Sequence, residues 1–230
     1  MPLHSFPQRR RIYLMRHGAV SYFEQGHPVP VDDVRLTEEG RAQATAAAAA
    51  LVDVPFNAAI SSGLPRTDET AKIVLGKRRL LIGTVTAFRE IRSGQFIDIR
   101  AEDMRTSFVE AFTRPLTWDD QFLLGETFGA FRDRVVPAFH NLIADRSWTE
   151  MLLVAHGATN RMIIASVLGA SLESIGHIEQ DACCINILDI DERGYGIVRL
   201  LNYAPYNAIK EGLTLTTMEQ YLLAAQIEKT

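Results

Sequence analysis

Short apolar runs alternate along this chain with segments whose apolar positions recur at helical spacing. Residues 12–15, Ile-Tyr-Leu-Met, form one such run, and Arg16-His17-Gly18 breaks it, which predicts a buried strand ending at His17. Residues 56–61 predict a second strand, and Pro65 just beyond is suited to the first position of a helix that continues to Leu75. Residues 85–90 predict a third strand. Residues 151–155 are wholly apolar and end at His156-Gly157, with a helix expected over 158–168. Residues 185–190 and 195–201, joined by Asp191-Glu-Arg-Gly194, predict an antiparallel hairpin at a sheet edge. Thr37 is a hydroxyl N-cap followed by Glu38 and Glu39, which suit the positive end of a helix completed by the alanine-rich run to Leu51. A long helix is expected over 127–144 with a kink at Pro137, and another over 216–226. Residues 19–35 are expected as loop. Residues 91–125 hold amphipathic pieces such as 102–112 and no clear strand, and are expected to be a helical insertion lying over the sheet edge as a cap.

Strands that alternate with helices, and are apolar on both faces, predict an α/β fold: a mostly parallel central sheet with helices on both faces. In such folds ligands bind beyond the carboxyl ends of the strands. The 230 residues, 47% hydrophobic and 23% charged, suit one folded domain over 1–230 carrying that insertion. A net charge of −4 gives no electrostatic footprint for nucleic acid or an anionic membrane. The basic cluster Arg9-Arg10-Arg11 is followed by too short an apolar run for a signal-peptide core, and no window approaches 18 apolar residues, so a cytoplasmic location is expected. Cys183 and Cys184 are read as reduced core thiols on a strand. His4, His27, His140 and His177 lack metal-ligand spacing such as HExxH, and neither metal nor organic cofactor is expected.

The chemistry lies where the apolar runs end. One delivers Arg16 and His17, one leads to Arg66, and one delivers His156. If the three strands are parallel neighbours, two arginines and two histidines meet at one sheet edge and form a cup for a compact polyanion, because guanidinium forks grip phosphate oxygens in pairs. Arg66 would also lie in the first turn of a helix, where free backbone N–H groups favour an anion.

Leu14-Met-Arg16-His17-Gly18, Leu36-Thr-Glu-Glu-Gly40, Ser61-Ser-Gly-Leu-Pro-Arg66-Thr-Asp-Glu-Thr-Ala71, Gly125-Glu126-Thr127 and Val154-Ala-His156-Gly157, in this order over about residues 12–170, resemble the histidine phosphatase (phosphoglycerate mutase-like) superfamily. The resemblance implies phosphomonoesterase activity through a phosphohistidine on His17. Arg16, Arg66 and His156, with Gly157 beside them, would bind the phosphate and neutralise developing charge. Phe88-Arg89-Glu90-Ile91 with Gly94 resembles the segment holding the family's general acid, so Glu90 is expected to protonate the leaving oxygen and later activate water. The alternative for Glu90 is a surface ion pair with Arg89 or Arg92. Glu126 is read either as a dipole partner of the helix that follows or as a further site residue.

The match also has gaps. The mutases continue their Arg-His-Gly with Glu-Ser and Trp-Asn pairs, where this chain has Ala19-Val20-Ser21-Tyr22-Phe23. Val20 stands where many phosphatases have Thr, and Phe23 stands near a phosphate-touching Asn. A mutase-type phosphotransferase and a noncatalytic phospholigand-binding protein are therefore the rival readings. A small phosphorylated substrate is the expected partner, and a homodimer is left open. Phe108, Phe112, Trp118 and Phe122 are expected to pack in the core or the cap.

Overall fold

The computed structural model describes residues 8–24, 27–94 and 99–227, so His4 and part of the 91–125 insertion lie outside them. Among the described residues, eight strands and six α-helices follow in chain order: β1 (Arg9–Arg16), β2 (Phe23–Glu24), β3 (His27–Pro28), α1 (Glu38–Ala50), β4 (Ala58–Ser61), α2 (Pro65–Leu75), β5 (Ile82–Thr84), α3 (Ala101–Val109), α4 (Phe128–Ala144), β6 (Glu150–Ala155), α5 (Gly157–Leu168), β7 (Ile185–Asp191), β8 (Gly196–Tyr203) and α6 (Thr217–Ile227). Six of the strands form one sheet in the order β5-β4-β6-β1-β7-β8. β5, β4, β6 and β1 run parallel, and β7 and β8 are antiparallel.

The near-continuous apolar runs arise because successive side chains serve opposite faces. Ile12, Leu14, Met151 and Leu153 join a cluster with Phe131, Val135 and Phe139 of α4 and Met162 to Ile164 of α5. Tyr13, Met15, Leu152 and Val154 join the other, with Ala47 of α1 and Ala71, Val74 and Leu75 of α2. Helices on both faces of a mostly parallel sheet are therefore present as expected.

Several expectations are corrected. The third strand is Ile82–Thr84, not 85–90; beyond it Thr86–Phe88 forms a 3₁₀ turn. The carbonyls of Ala87, Arg89 and Glu90 accept from the guanidinium of Arg134, so this stretch bonds to α4 instead of extending a sheet ladder. Among the described residues of 91–125 the α-helix is nine residues long, and Phe108, Phe112 and Phe122 belong to the main core. Trp118 stays 40% exposed beneath Arg132, so it is not core. The long helix stands where it was expected, with Pro137 in its interior. The antiparallel hairpin does lie at a sheet edge as expected, with β8 outermost and β7 paired with β1. Cys183 and Cys184 are free and buried, but in a turn before β7, with Cys183 at φ 51°.

Candidate active site

Register brings the site together. Arg16 pairs with Ala155 across β1 and β6, and Ser61 pairs with Val154 across β4 and β6, so His17, Ser62 and His156 leave three adjacent strands at the same level. The His17 N–H donates to the Ala155 carbonyl, and the two imidazoles meet edge to face with centroids 5.1 Å apart. Both rings are buried, with 3% exposure for His17 and none for His156.

The backbone that follows His17 is held between α1 and α2. Gly18 N–H donates to the Thr70 hydroxyl, and Ala19 N–H to the Gln43 side chain. The approach is so close that a Cβ on Gly18 would lie 2.5 Å from the Gly40 carbonyl oxygen, and one on Gly40 would lie 2.2 Å from that of Ala19. Both motif glycines thus have a steric cause. Thr37 caps α1 through Gly40 N–H and also donates to the Ala19 carbonyl, tying the start of that helix to the same loop.

Nδ1 of His17 lies 2.8 Å from the Gly18 carbonyl, which can only accept. Nδ1 therefore carries the proton, and in the neutral ring Nε2 holds the lone pair. Burial, then Arg66 and Arg16, push the His17 pKa well below its ordinary value. His156 is lowered too, by burial, Arg66, His17 and Arg16. Both rings are neutral at pH 7.

Arg66 is fully buried in the first turn of α2, donating to the Val31 carbonyl, and its Nε has no partner. Arg16 donates to the Gln180 carbonyl, the Thr217 hydroxyl and the Tyr221 hydroxyl, again with Nε unpartnered. A Cβ on Gly157 would sit 3.6 Å from both Arg16 Nε and Glu90 Oε2, which places arginine, glycine and carboxylate side by side.

Glu90 is fixed from both chain directions by buried Phe88 and Ile91. Its carboxylate accepts from Ile91 N–H, Ala158 N–H and Thr159 N–H, filling the otherwise unpaired donors of the first turn of α5. Arg89 pairs with Asp32, but Glu90 itself makes no ion pair among the described residues; its bonds go to backbone. Glu126 does not serve the start of its own helix, where Thr127 is the cap. It is bound through both oxygens by Arg134 and accepts from Arg92 N–H. Burial opposes ionisation, yet these bonds hold Glu126 below the usual carboxylate range. Glu126 and Arg134 form a buried clamp on the carbonyls flanking Glu90.

Sequence reasoning missed Ser62, Thr67, Arg134, Thr217 and Tyr221. Ser62 and Thr67 stand inside a quoted motif, so their hydroxyls were open to view. Arg134 and Tyr221 gave no signal, being 44 residues from Glu90 and 205 from Arg16. Tyr22, flagged only as a departure, stacks edge-on against Tyr221 at 5.4 Å.

These features define an α/β protein with an anion cup and a candidate nucleophile at the carboxyl ends of parallel strands. The chain belongs to the histidine phosphatase superfamily, branch 1, whose family model matches residues 12–203. An adenosylcobalamin/alpha-ribazole phosphatase from Escherichia coli K12 is 28% identical over 202 residues, covering 84% of this chain and 95% of that protein. A protein of Arabidopsis thaliana named as a probable 2-carboxy-D-arabinitol-1-phosphatase is 26% identical over 211 residues, covering 88% of this chain but only 44% of the plant protein. The crystal structure of the alpha-ribazole phosphatase from Shigella flexneri superposes with a TM-score of 0.70 at 26% identity, covering 84% of this chain and 96% of that one. These names agree with the expected enzyme class, a phosphoric monoester hydrolase. Among the described residues, no helix is long and apolar enough to cross a membrane.

Proposed function

We propose that this protein hydrolyses small phosphomonoesters through a phosphohistidine on Nε2 of His17. The observation that carries this reading is the fixed tautomer: the Gly18 carbonyl holds the Nδ1 proton, leaving a neutral, buried lone pair at Nε2 among His156, Arg16 and Arg66. In the first step Nε2 forms a bond to phosphorus while the ester P–O bond breaks. A proton held by the Glu90 carboxyl passes to the departing oxygen. Water then attacks phosphorus, its proton returns to Glu90, and the N–P bond breaks to release phosphate and free His17. Arg16, Arg66 and His156 balance charge on the phosphoryl oxygens. The three N–H donors on Glu90 hold its carboxylate in place beside Arg16 and Gly157.

The described insertion residues stand against α6, which itself reaches Arg16 through Thr217 and Tyr221. That arrangement supports a role for the insertion and α6 together in choosing the alcohol part of the substrate. Mutase activity is the weaker reading, because Ala19 to Phe23 lack the continuation residues of the mutases.

A panel of phosphorylated metabolites and p-nitrophenyl phosphate tests the proposal, with His17→Ala as the blank. Hydrolysis by the native protein and loss of about 10⁴-fold or more in the variant are expected, as for removal of a nucleophile. Equal rates in the two would overturn it, and phosphate binding without hydrolysis of any ester would favour the noncatalytic reading.

A further inference from the structure

Behind His156 lies a hydroxyl chain that the proposed reaction does not use. The Thr67 hydroxyl donates its single hydrogen to the Leu64 carbonyl at 2.8 Å. The Ser62 hydroxyl lies 3.0 Å from Thr67 Oγ1 and 2.8 Å from His156 Nε2. Since Thr67 has no hydrogen left to give, Ser62 must donate to Thr67, and Ser62 Oγ must then accept from His156 Nε2. Only this direction satisfies all three contacts. His156 is therefore protonated at Nε2 when neutral, and its remaining polar atom, Nδ1, is a buried lone pair without a partner.

A lone pair beside an incoming phosphoryl dianion is repulsive, whereas an N–H at the same atom makes a charge-assisted bond. We propose that Ser62 and Thr67 are positioning residues that set the tautomer of His156, so that occupation of the cup by a phosphoryl dianion is coupled to uptake of one proton at His156 Nδ1. The step is a proton transfer alone: the proton comes from solvent, or from a monoanionic phosphoryl group, to the Nδ1 lone pair, and no other bond changes. The charged groups around His156 fit this coupling. Arg66 of α2, Arg16 and His17 at the end of β1, and Arg134 of α4 all disfavour the imidazolium. The dianion offsets that positive field, as does Glu90, bonded to the first turn of α5 next to His156.

The inference rests on the phosphatase reading for its ligand, and its test is independent of turnover. Titration calorimetry with inorganic phosphate at pH 8.5, in buffers of different ionisation enthalpy, counts protons taken up; Glu90→Gln serves as the background so that this carboxyl contributes none. Uptake of about one proton is expected at pH 8.5, falling toward zero near pH 5, where the ligand brings its own. Nitrogen-15 spectra should show free His156 protonated at Nε2. In Thr67→Val the Ser62 hydrogen is released to point at Nε2, so the tautomer should invert to Nδ1–H and the proton uptake should be lost. No uptake at pH 8.5, or a native His156 protonated at Nδ1, overturns the proposal even if His17 is phosphorylated. An unchanged tautomer in a folded Thr67→Val also overturns it, and if that variant does not fold the native spectrum alone decides.

Discussion

In the proposed reaction, attack by His17 depends on which nitrogen carries a proton, and the Gly18 carbonyl makes that choice. Glu90 is placed by three N–H donors, so exchanging its acid for an amide preserves the volume while removing the transferable proton. Glu90→Gln should lower kcat for alkyl phosphates by about 10²–10⁴-fold, the usual worth of a general acid. Its effect on the first step with p-nitrophenyl phosphate, the burst of p-nitrophenolate, should be much smaller, because p-nitrophenolate leaves without protonation. Equal losses with both leaving groups in that first, single-turnover step would remove Glu90 from the acid's role. Gly40 offers a second residue-scale check. An alanine there would drive Cβ into the Ala19 carbonyl, so Gly40→Ala should cost about 1–3 kcal/mol by denaturant unfolding, the range for overpacking. It should also slow turnover, because the displaced carbonyl lies two residues from His17.

Among elements, the clamp between Glu126 and Arg134 decides whether the stretch after β5 presents Glu90 at all. Glu126 is almost wholly buried and Arg134 partly so. Arg134→Ala would leave the buried Glu126 carboxylate with the Arg92 N–H alone of the hydrogen-bond donors described, and would take the guanidinium from the Ala87 and Glu90 carbonyls, while that of Arg89 keeps the Thr159 hydroxyl. Breaking such a pair costs about 3–5 kcal/mol when both partners are buried, and the partial exposure of Arg134 places this variant at the lower end. Thermal unfolding should record that loss, and kcat should fall with KM little changed. Arg134→Lys should rescue neither, because one ammonium cannot span two carboxylate oxygens and three carbonyls. A kcat that survives intact in either variant contradicts the clamp. The same stretch shows why part of the fold was illegible. Val85 to Phe88 has strand-like composition, but the Val85 and Thr86 carbonyls close a local turn and that of Ala87 goes to Arg134, on a helix more than 40 residues away. β1, β4 and β6 were legible because strands covered on both faces carry near-continuous apolar runs, and because each run stops at polar residues where the strand ends. Arg16, His17, Arg66 and His156 could be foreseen as neighbours for that reason. The hold of Tyr221 and Thr217 on Arg16 could not, since a helix expected over 216–226 says nothing about which end of the sheet it covers.

The whole molecule is a sheet whose parallel half collects charge at one end, and that concentration has a stability signature. The folded-state pKa values of His17 and His156 are depressed, so below about pH 6.5 the unfolded chain binds protons that the native state refuses. Stability is fully present above that pH and is lost on acidification, by up to about 1.4 kcal/mol per pH unit for each ring. Denaturant unfolding between pH 7 and 5 should show this decline, with a shallower slope in His156→Gln; parallel slopes would mean that His156 is not held neutral.

The most direct test of phosphoryl transfer to His17 uses Glu90→Gln with labelled p-nitrophenyl phosphate. The first step then needs no acid, while the second lacks its base. Rapid quenching at alkaline pH, followed by peptide mapping, should recover an acid-labile phosphoryl group on His17. Release of p-nitrophenolate with no label on the protein, or with the label on another residue, would contradict a phosphohistidine route through His17.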